Sequence, residues 1–389
     1  AVAARMGGLI GLVAFGLFLQ FISWRLVFLT SLPLGLLAIR YSYPLLKYQV
    51  EQAAANASKI NINYIGAGLM VVTLGTFILS GLHVHEGDES FVSREALSYH
   101  LPMHMLFLSL LALFIVVQQR SREPFLDLRY FKQKYFSMAL FTNTTAHLSM
   151  LAVTTLIPIM VEDGLGQIPL MVTVVLFPNQ FLGLFLPTLG GWIYDRYNPR
   201  FFRPAALALI AGAFLMVGFL AEDVPFWMLP IMLLPAGIGF NLFSTANNAV
   251  VMNSLEESRT FASGMLETTR QMGHTIGTTI SAAVLGLALP VAIDVLPVFE
   301  AQAAYRQGFQ YSALVVVWIM AAGAFVAIFT KTSHGVSQIP RNQPAPHPHR
   351  DTIHLILICP IIILFIIFLL LLLLLLLLLL LLLLLLYYY

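Results

Sequence analysis

The chain has 389 residues, of which 59% are hydrophobic and only 10% are charged. Soluble domains carry roughly 25% charged residues, so this composition excludes a globule with a polar exterior and points to the lipid bilayer as solvent. The net charge of +2 is too small to argue for a nucleic-acid partner, and the single cysteine, Cys359, excludes an internal disulfide framework.

A helix needs about 20 mainly apolar residues to cross the hydrocarbon core. On that measure the sequence predicts ten spans, at 6–22, 26–43, 64–84, 101–118, 136–160, 170–192, 203–220, 226–248, 262–288 and 308–330. The runs are continuously apolar and do not alternate, which favours an all-α polytopic membrane protein over a barrel. Arg5 leads directly into the first run, and no signal-peptide cleavage site precedes a soluble domain. The chain therefore reads as beginning inside a longer membrane protein. Pro158, Pro178, Pro187, Pro230 and Pro235 fall within spans and predict kinks in a cavity wall.

The loops test this count. Of the 20 Lys and Arg residues, all but Arg25, Arg94 and Arg306 fall on one side when successive loops are assigned to alternate faces. The acidic pairs Glu162 with Asp163 and Glu222 with Asp223 fall on the other. Basic loops lie in the cytoplasm, so the region after residue 330 is read as cytoplasmic, in a bacterial inner (plasma) membrane.

Polar residues inside spans are the candidates for function, because the bilayer makes them costly. Asn143 and His147 lie in one span, Asn179 and Gln180 beside Pro178 in the next. Asn241, Thr245 and Asn248 share one face of a third. They are candidate cavity lining, and interhelical hydrogen bonding is the competing reading. An imidazole can exchange protons near neutral pH, which makes His147 either a coupling residue or a packing one. Gly273 and Gly277 have the small-x-x-x-small spacing of a helix contact, and Glu267 can pair with Arg270. No catalytic residue, metal site or cofactor-binding motif is found: H-E-x-x-H, G-x-S-x-G and G-x-x-x-x-G-K are all missing. The chain does not read as an enzyme.

The stretch "GGWIYDRYNPR", residues 190–200, reads as a charged loop between two apolar spans. Asp195 there can bond the free N–H groups of a neighbouring helix start. Arg196, Arg200 and Arg203 can pair with it or with lipid phosphates. Asn198 suits a left-handed turn. The elements read as a conformational latch (Gly191, Asp195, Arg196, Asn198, Arg200) or as an ordinary tight cytoplasmic turn.

Three stretches resemble one family. "SWRLVFLTSLPLG" (residues 23–35, with Trp24, Arg25, Pro33 and Gly35 at the membrane interface) is similar to the start of helix six in the 14-helix drug:proton antiporter branch of the major facilitator superfamily, the multidrug efflux type. "GGWIYDRYNPR" resembles that superfamily's loop motif G-x-L-a-D-R-x-G-R-R in its second-half copy. "GMLETTRQMGHTIGTTISAAVL" (residues 264–285, with Gly264, Arg270, Gly273 and Gly277) resembles the penultimate helix. The resemblance implies a major facilitator fold lacking about its first four helices, the chain being truncated at its N-terminus. Those four would carry the groups associated with proton coupling. It implies export of amphipathic or cationic organic compounds by alternating access, driven by a proton gradient with no cofactor. The bilayer and small organic substrates are the implied partners, with a periplasmic adaptor a candidate partner of the intact protein. The family's G-P-x-x-G-G motif aligns with "GLVAFG", residues 11–16, where Leu12 and Phe15 replace the proline and a glycine.

The implied organisation places the last two helices of the first bundle at 1–44 and two inserted helices at 45–122. The six-helix second bundle follows at 123–332. Residues 333–389 read as a disordered linker and a low-complexity leucine tail, including an unbroken run at 369–386, that is not a functional part.

Overall fold

The computed structural model describes residues 2–55, 63–82, 94–121, 124–197, 199–221, 225–255, 258–289 and 293–330. The expectations for Asn198, the acidic pair Glu222 and Asp223, and the tail lie outside the described residues. Eleven α-helices are described: α1 (Val2–Phe21), α2 (Trp24–Ala55), α3 (Tyr64–Leu82), α4 (Arg94–Arg120), α5 (Lys134–Ile159), α6 (Leu170–Leu182), α7 (Leu186–Tyr197), α8 (Phe202–Leu220), α9 (Leu229–Ser254), α10 (Arg259–Ala288) and α11 (Val298–Ile328). No strand occurs among the described residues. Helices satisfy their own backbone groups, which is what a lipid solvent demands.

Helices α5 to α11 form one bundle. α5 is its most enclosed element, with apolar and polar side chains buried around it, and lies against α10 and α11. α8 packs on α9 and α11, while α6 and α7 both pack on α9. The bundle interior is filled by side chains such as Leu156, Leu207, Ile210, Phe214, Phe243 and Met320. α3 and α4 pair as a hairpin beside this bundle, and α1 joins it through α6.

Each of the ten predicted spans falls largely on helix among the described residues, but seven described helical runs meet both the length and the apolarity needed to cross a membrane. The apolar parts of α1 and α3, Arg5–Phe21 and Tyr64–Ser80, are shorter. α10 is long enough at 30 residues but carries Glu267, Arg270, His274 and several threonines.

Three boundaries differ from the sequence reading. α2 continues to Ala55 through Pro44, and the acidic Glu162 and Asp163, read as loop, close the α5 run as a π-turn (Met160–Gly164). The predicted loop from residue 190 is helical as far as Tyr197. Apolarity marks where a helix leaves the hydrocarbon, and the helix itself runs on into the polar interface.

The predicted span 170–192 is broken in the middle. Pro187 has no N–H to offer the carbonyl of residue 183, and its ring crowds that carbonyl. The chain turns through residues 183–185, held by Leu184 N–H to Phe181 O and Phe185 N–H to Leu182 O, both 3.1 Å. This interruption positions the site.

Candidate functional site

At the break, three helices meet around one cation. Arg5 of α1 donates from Nη1 to Asn241 Oδ1 of α9 at 2.5 Å. The same Nη1 lies 2.8 Å from where a Cβ on Gly183 would stand, so a larger residue there would push the guanidinium aside. Asn241 is at the midpoint of the 26-residue α9, and Gly183 is at the midpoint of the Leu170–Tyr197 span. The guanidinium therefore sits at mid-depth in the bundle, and Arg5 is not the cytoplasmic flank that the charge alternation implies. An arginine at the centre of a spanning helix costs about 2.5–3.5 kcal/mol on insertion scales.

Asn179 is the neighbouring polar group. Its Nδ2 donates to Leu233 O at 3.3 Å, while its Oδ1 is buried with no partner among the described residues. Gly237, one turn before Asn241, leaves room for this side chain, and its carbonyl accepts from Asn241 Nδ2 at 2.8 Å. Gln180 is exposed beside it. Farther along α1, Gly16 packs directly on Thr173, whose hydroxyl donates to Leu12 O at 3.3 Å. Of the two glycines in "GLVAFG", Gly16 thus makes a close approach to α6, while Gly11 faces open space.

A second polar group lies between α5, α9 and α10. His147 Nδ1 and His274 Nε2 are 3.1 Å apart, so one ring nitrogen carries the proton that the other accepts. Phe240 meets the His147 ring edge to face at 4.9 Å. Asn143, which the sequence places on a cavity wall, is fully buried and donates to Leu266 O (3.1 Å) and Thr269 Oγ1 (3.0 Å). It ties α5 to α10. Gly273 and Gly277 bring the same helices together: a Cβ at either would strike the α5 backbone. Arg270 pairs with Glu267 on the exposed side of α10, and Gly264 touches nothing.

The third group is at the end of the bundle where α7 meets α8. Arg203 is 4% exposed and donates to Asn247 Oδ1 (2.6 Å), Thr142 Oγ1 (3.2 Å) and Thr330 Oγ1 (2.6 Å). The sequence reading pairs Arg203 with Asp195 or lipid phosphate. The structure instead buries it among neutral acceptors from α5, α9 and the end of α11. Asp195 is exposed, and α8, with Phe201 at its N-cap, has no side-chain cap, so the capping contact expected of Asp195 is not formed there among the described residues. Arg196 lies over the rings of Trp192 and Tyr197 (both 5.9 Å), and Arg200 lies over Phe201 (5.5 Å). Thr245 bonds back to Asn241 O at 3.0 Å and meets Gly191, while Asn248 is exposed.

Outside the spans, Asp127 accepts from the Arg129 guanidinium at 2.8 Å, which holds its carboxyl below the usual carboxylate range. Trp24 is exposed with Arg25 over its ring at 4.7 Å, the pairing of an interface anchor. Pro33 and Gly35 lie inside α2 and mark no break. A cavity of about 210 Å³ lies between the α3–α4 hairpin and α5 with α10, lined by Phe77, Phe107, Phe114, Leu140, Phe141 and Met265. It contains none of the polar candidates. Among the described residues, no three His, Cys, Asp or Glu side chains come together as a metal site requires.

The sequence pattern of the Major Facilitator Superfamily matches residues 1–278, well over half of the chain. The chain belongs to the major facilitator superfamily. Among similar proteins of this transporter superfamily is the riboflavin transporter RibZ of Clostridioides difficile (strain 630), 22% identical over 70% of this chain and 57% of that protein. Another is the multidrug resistance protein Stp of Mycobacterium tuberculosis (strain CDC 1551 / Oshkosh), 24% identical over 75% of this chain and 52% of that protein. A third is the methylenomycin A resistance protein of Bacillus subtilis (strain 168), 23% identical over 73% and 58%. The chain spans about half the length of the curated relatives it matches. It is an integral, all-helical membrane protein of a transporter superfamily.

The sequence reading did not place Arg5 at mid-depth, Arg203 as a buried hub or His274 as a ring partner. The available signal was positional. Arg203 is flanked by Phe202 and Pro204, and Thr142 and Asn247 lie at the matching ends of their own spans.

Proposed function

We propose that the whole protein is a proton-driven exporter of amphipathic or cationic organic compounds, working by alternating access, in the 14-helix drug:proton antiporter branch. On this reading about four further helices precede α1. The observation that carries it is the broken α6–α7 span beside the Arg5–Asn241 contact. Interrupted helices at mid-depth, with polar groups from two bundles facing each other, are how membrane transporters hold a solute. Multidrug and methylenomycin resistance proteins among the relatives support an organic cargo. On this reading the groups of proton coupling lie in the helices that precede α1, and Asp195, exposed at the end of α7, makes its latch contact in another state of the cycle.

The test is dye movement in everted membrane vesicles containing the whole protein. An imposed proton gradient is expected to drive ethidium uptake, a protonophore to abolish it, and Asp195→Asn to reduce it at least tenfold at unchanged protein level. Ethidium movement that ignores the protonophore would overturn proton coupling. Undiminished uptake by a properly inserted Asp195→Asn variant would overturn the latch.

A second reading, a facilitator for one particular organic solute, is favoured by the riboflavin transporter among the relatives. It expects saturable uptake of a single compound and no dye transport.

A further inference from the structure

Arg5 is the only Asp, Glu, Lys or Arg in α1, α6 and α9, the three helices that meet around it, and none of the three contains a histidine. The nearest acidic side chain along the α6–α7 span is Asp195, twelve residues from Gly183 and roughly 18 Å away at 1.5 Å per residue. Among the described residues, the groups set against the guanidinium carry partial negative charge: the Asn241 carboxamide and the carbonyl end of α6. One Nη1 hydrogen bond leaves other donors of the planar fork unassigned, in the geometry that grips a carboxylate. The side chain is half-buried. Beside it, the Asn179 Oδ1 is buried and without a donor among the described residues.

We propose that Arg5, Asn241 and Asn179 form an anion-recognition subsite. The transported compound places a carboxylate or comparable organic anion on the Arg5 guanidinium, and an N–H or O–H group of the same compound donates to Asn179 Oδ1. Among the amphipathic compounds of the preceding section, this favours those that bear an anionic group over purely cationic ones, which it does not exclude. Arg5 belongs to the first bundle on that reading and Asn241 to the second, so an anion held here bridges the halves that alternating access must move. The inference rests on the organic-solute reading and narrows it.

Two xanthene dyes of similar shape and opposite charge test it: carboxyfluorescein and rhodamine 6G, titrated by fluorescence anisotropy against the chain in phosphatidylcholine nanodiscs, with empty nanodiscs subtracted. The chain is expected to bind carboxyfluorescein at least tenfold more tightly than rhodamine 6G. Arg5→Gln is expected to remove that preference and Arg5→Lys to keep it within about threefold. Asn179→Ala is expected to weaken carboxyfluorescein binding about threefold without reversing the preference. Saturable rhodamine 6G binding that Arg5→Gln leaves unchanged would overturn the anion subsite and leave the organic-solute reading standing. Binding of neither dye would overturn both. Loss of carboxyfluorescein binding when phosphatidylglycerol replaces part of the lipid would assign the site to a lipid headgroup and overturn the solute assignment.

Discussion

Arg203 shows how a single residue can hold a bundle end together. Its guanidinium joins Thr142 of α5, Asn247 of α9 and Thr330 beyond α11, and Asn247 in turn donates to Ala139 O at 3.1 Å. A buried cation with neutral acceptors is stable only while those acceptors stay in place, and removing it leaves several buried oxygens unserved. Arg203→Ala is expected to lower unfolding stability in detergent by about 2–4 kcal/mol, and Arg203→Met by clearly less because the stem still fills the site. Equal and small losses for both would show that the hydrogen bonds contribute little. The sequence could not separate this arginine from Arg196 and Arg200, because a basic residue after a cytoplasmic turn looks the same whether it points to lipid phosphate or inward. Asn143 was ambiguous for a related reason: one carboxamide serves equally to line a cavity or to bond a neighbouring helix.

At the scale of elements, the α5–α10 pair rests on glycines with different surroundings. A Cβ on Gly273 would stand 2.6 Å from Thr144 O and 3.0 Å from Leu148 N, both backbone atoms that cannot swing aside. Gly264, in the same helix and the same sequence motif, has nothing within 4 Å. Gly273→Ala is expected to destabilise the bundle by about 1–3 kcal/mol through forced separation of the helices. Gly264→Ala is expected to be neutral or to stabilise by up to about 1 kcal/mol through helix propensity. Thermal unfolding of the two variants side by side checks the contrast, and equal effects would contradict it. The small-residue spacing of Gly273 and Gly277 was legible in the sequence; which helix they face was not, because spacing names a surface without its partner. The broken α6–α7 span was half legible. Pro178 and Pro187 announced a kink, but apolarity continues through residues 183–185, so composition saw one uninterrupted span.

At the scale of the whole molecule, the helical architecture follows from composition and the number of apolar runs, since lipid leaves the backbone few alternatives. The polar site does not follow in the same way. It depends on α1 meeting α6 and α9, residues separated by more than 150 positions in the chain, and Arg5 itself looked like a basic flank until its partner was seen. The proposed transport function requires that this mid-depth junction be reached by water and solute and not be sealed in lipid. The direct test uses the chain's single cysteine. With Cys359 replaced by serine, Gln180→Cys places one thiol on the exposed side of α6, one turn before Gly183, against which Arg5 lies. A membrane-impermeant maleimide applied to the protein in lipid vesicles is expected to label that thiol, and a bound organic anion to slow the labelling at least fivefold. A thiol that remains unlabelled from both faces of the membrane would place Gln180 in lipid or packed protein, and would contradict a transport site at the break.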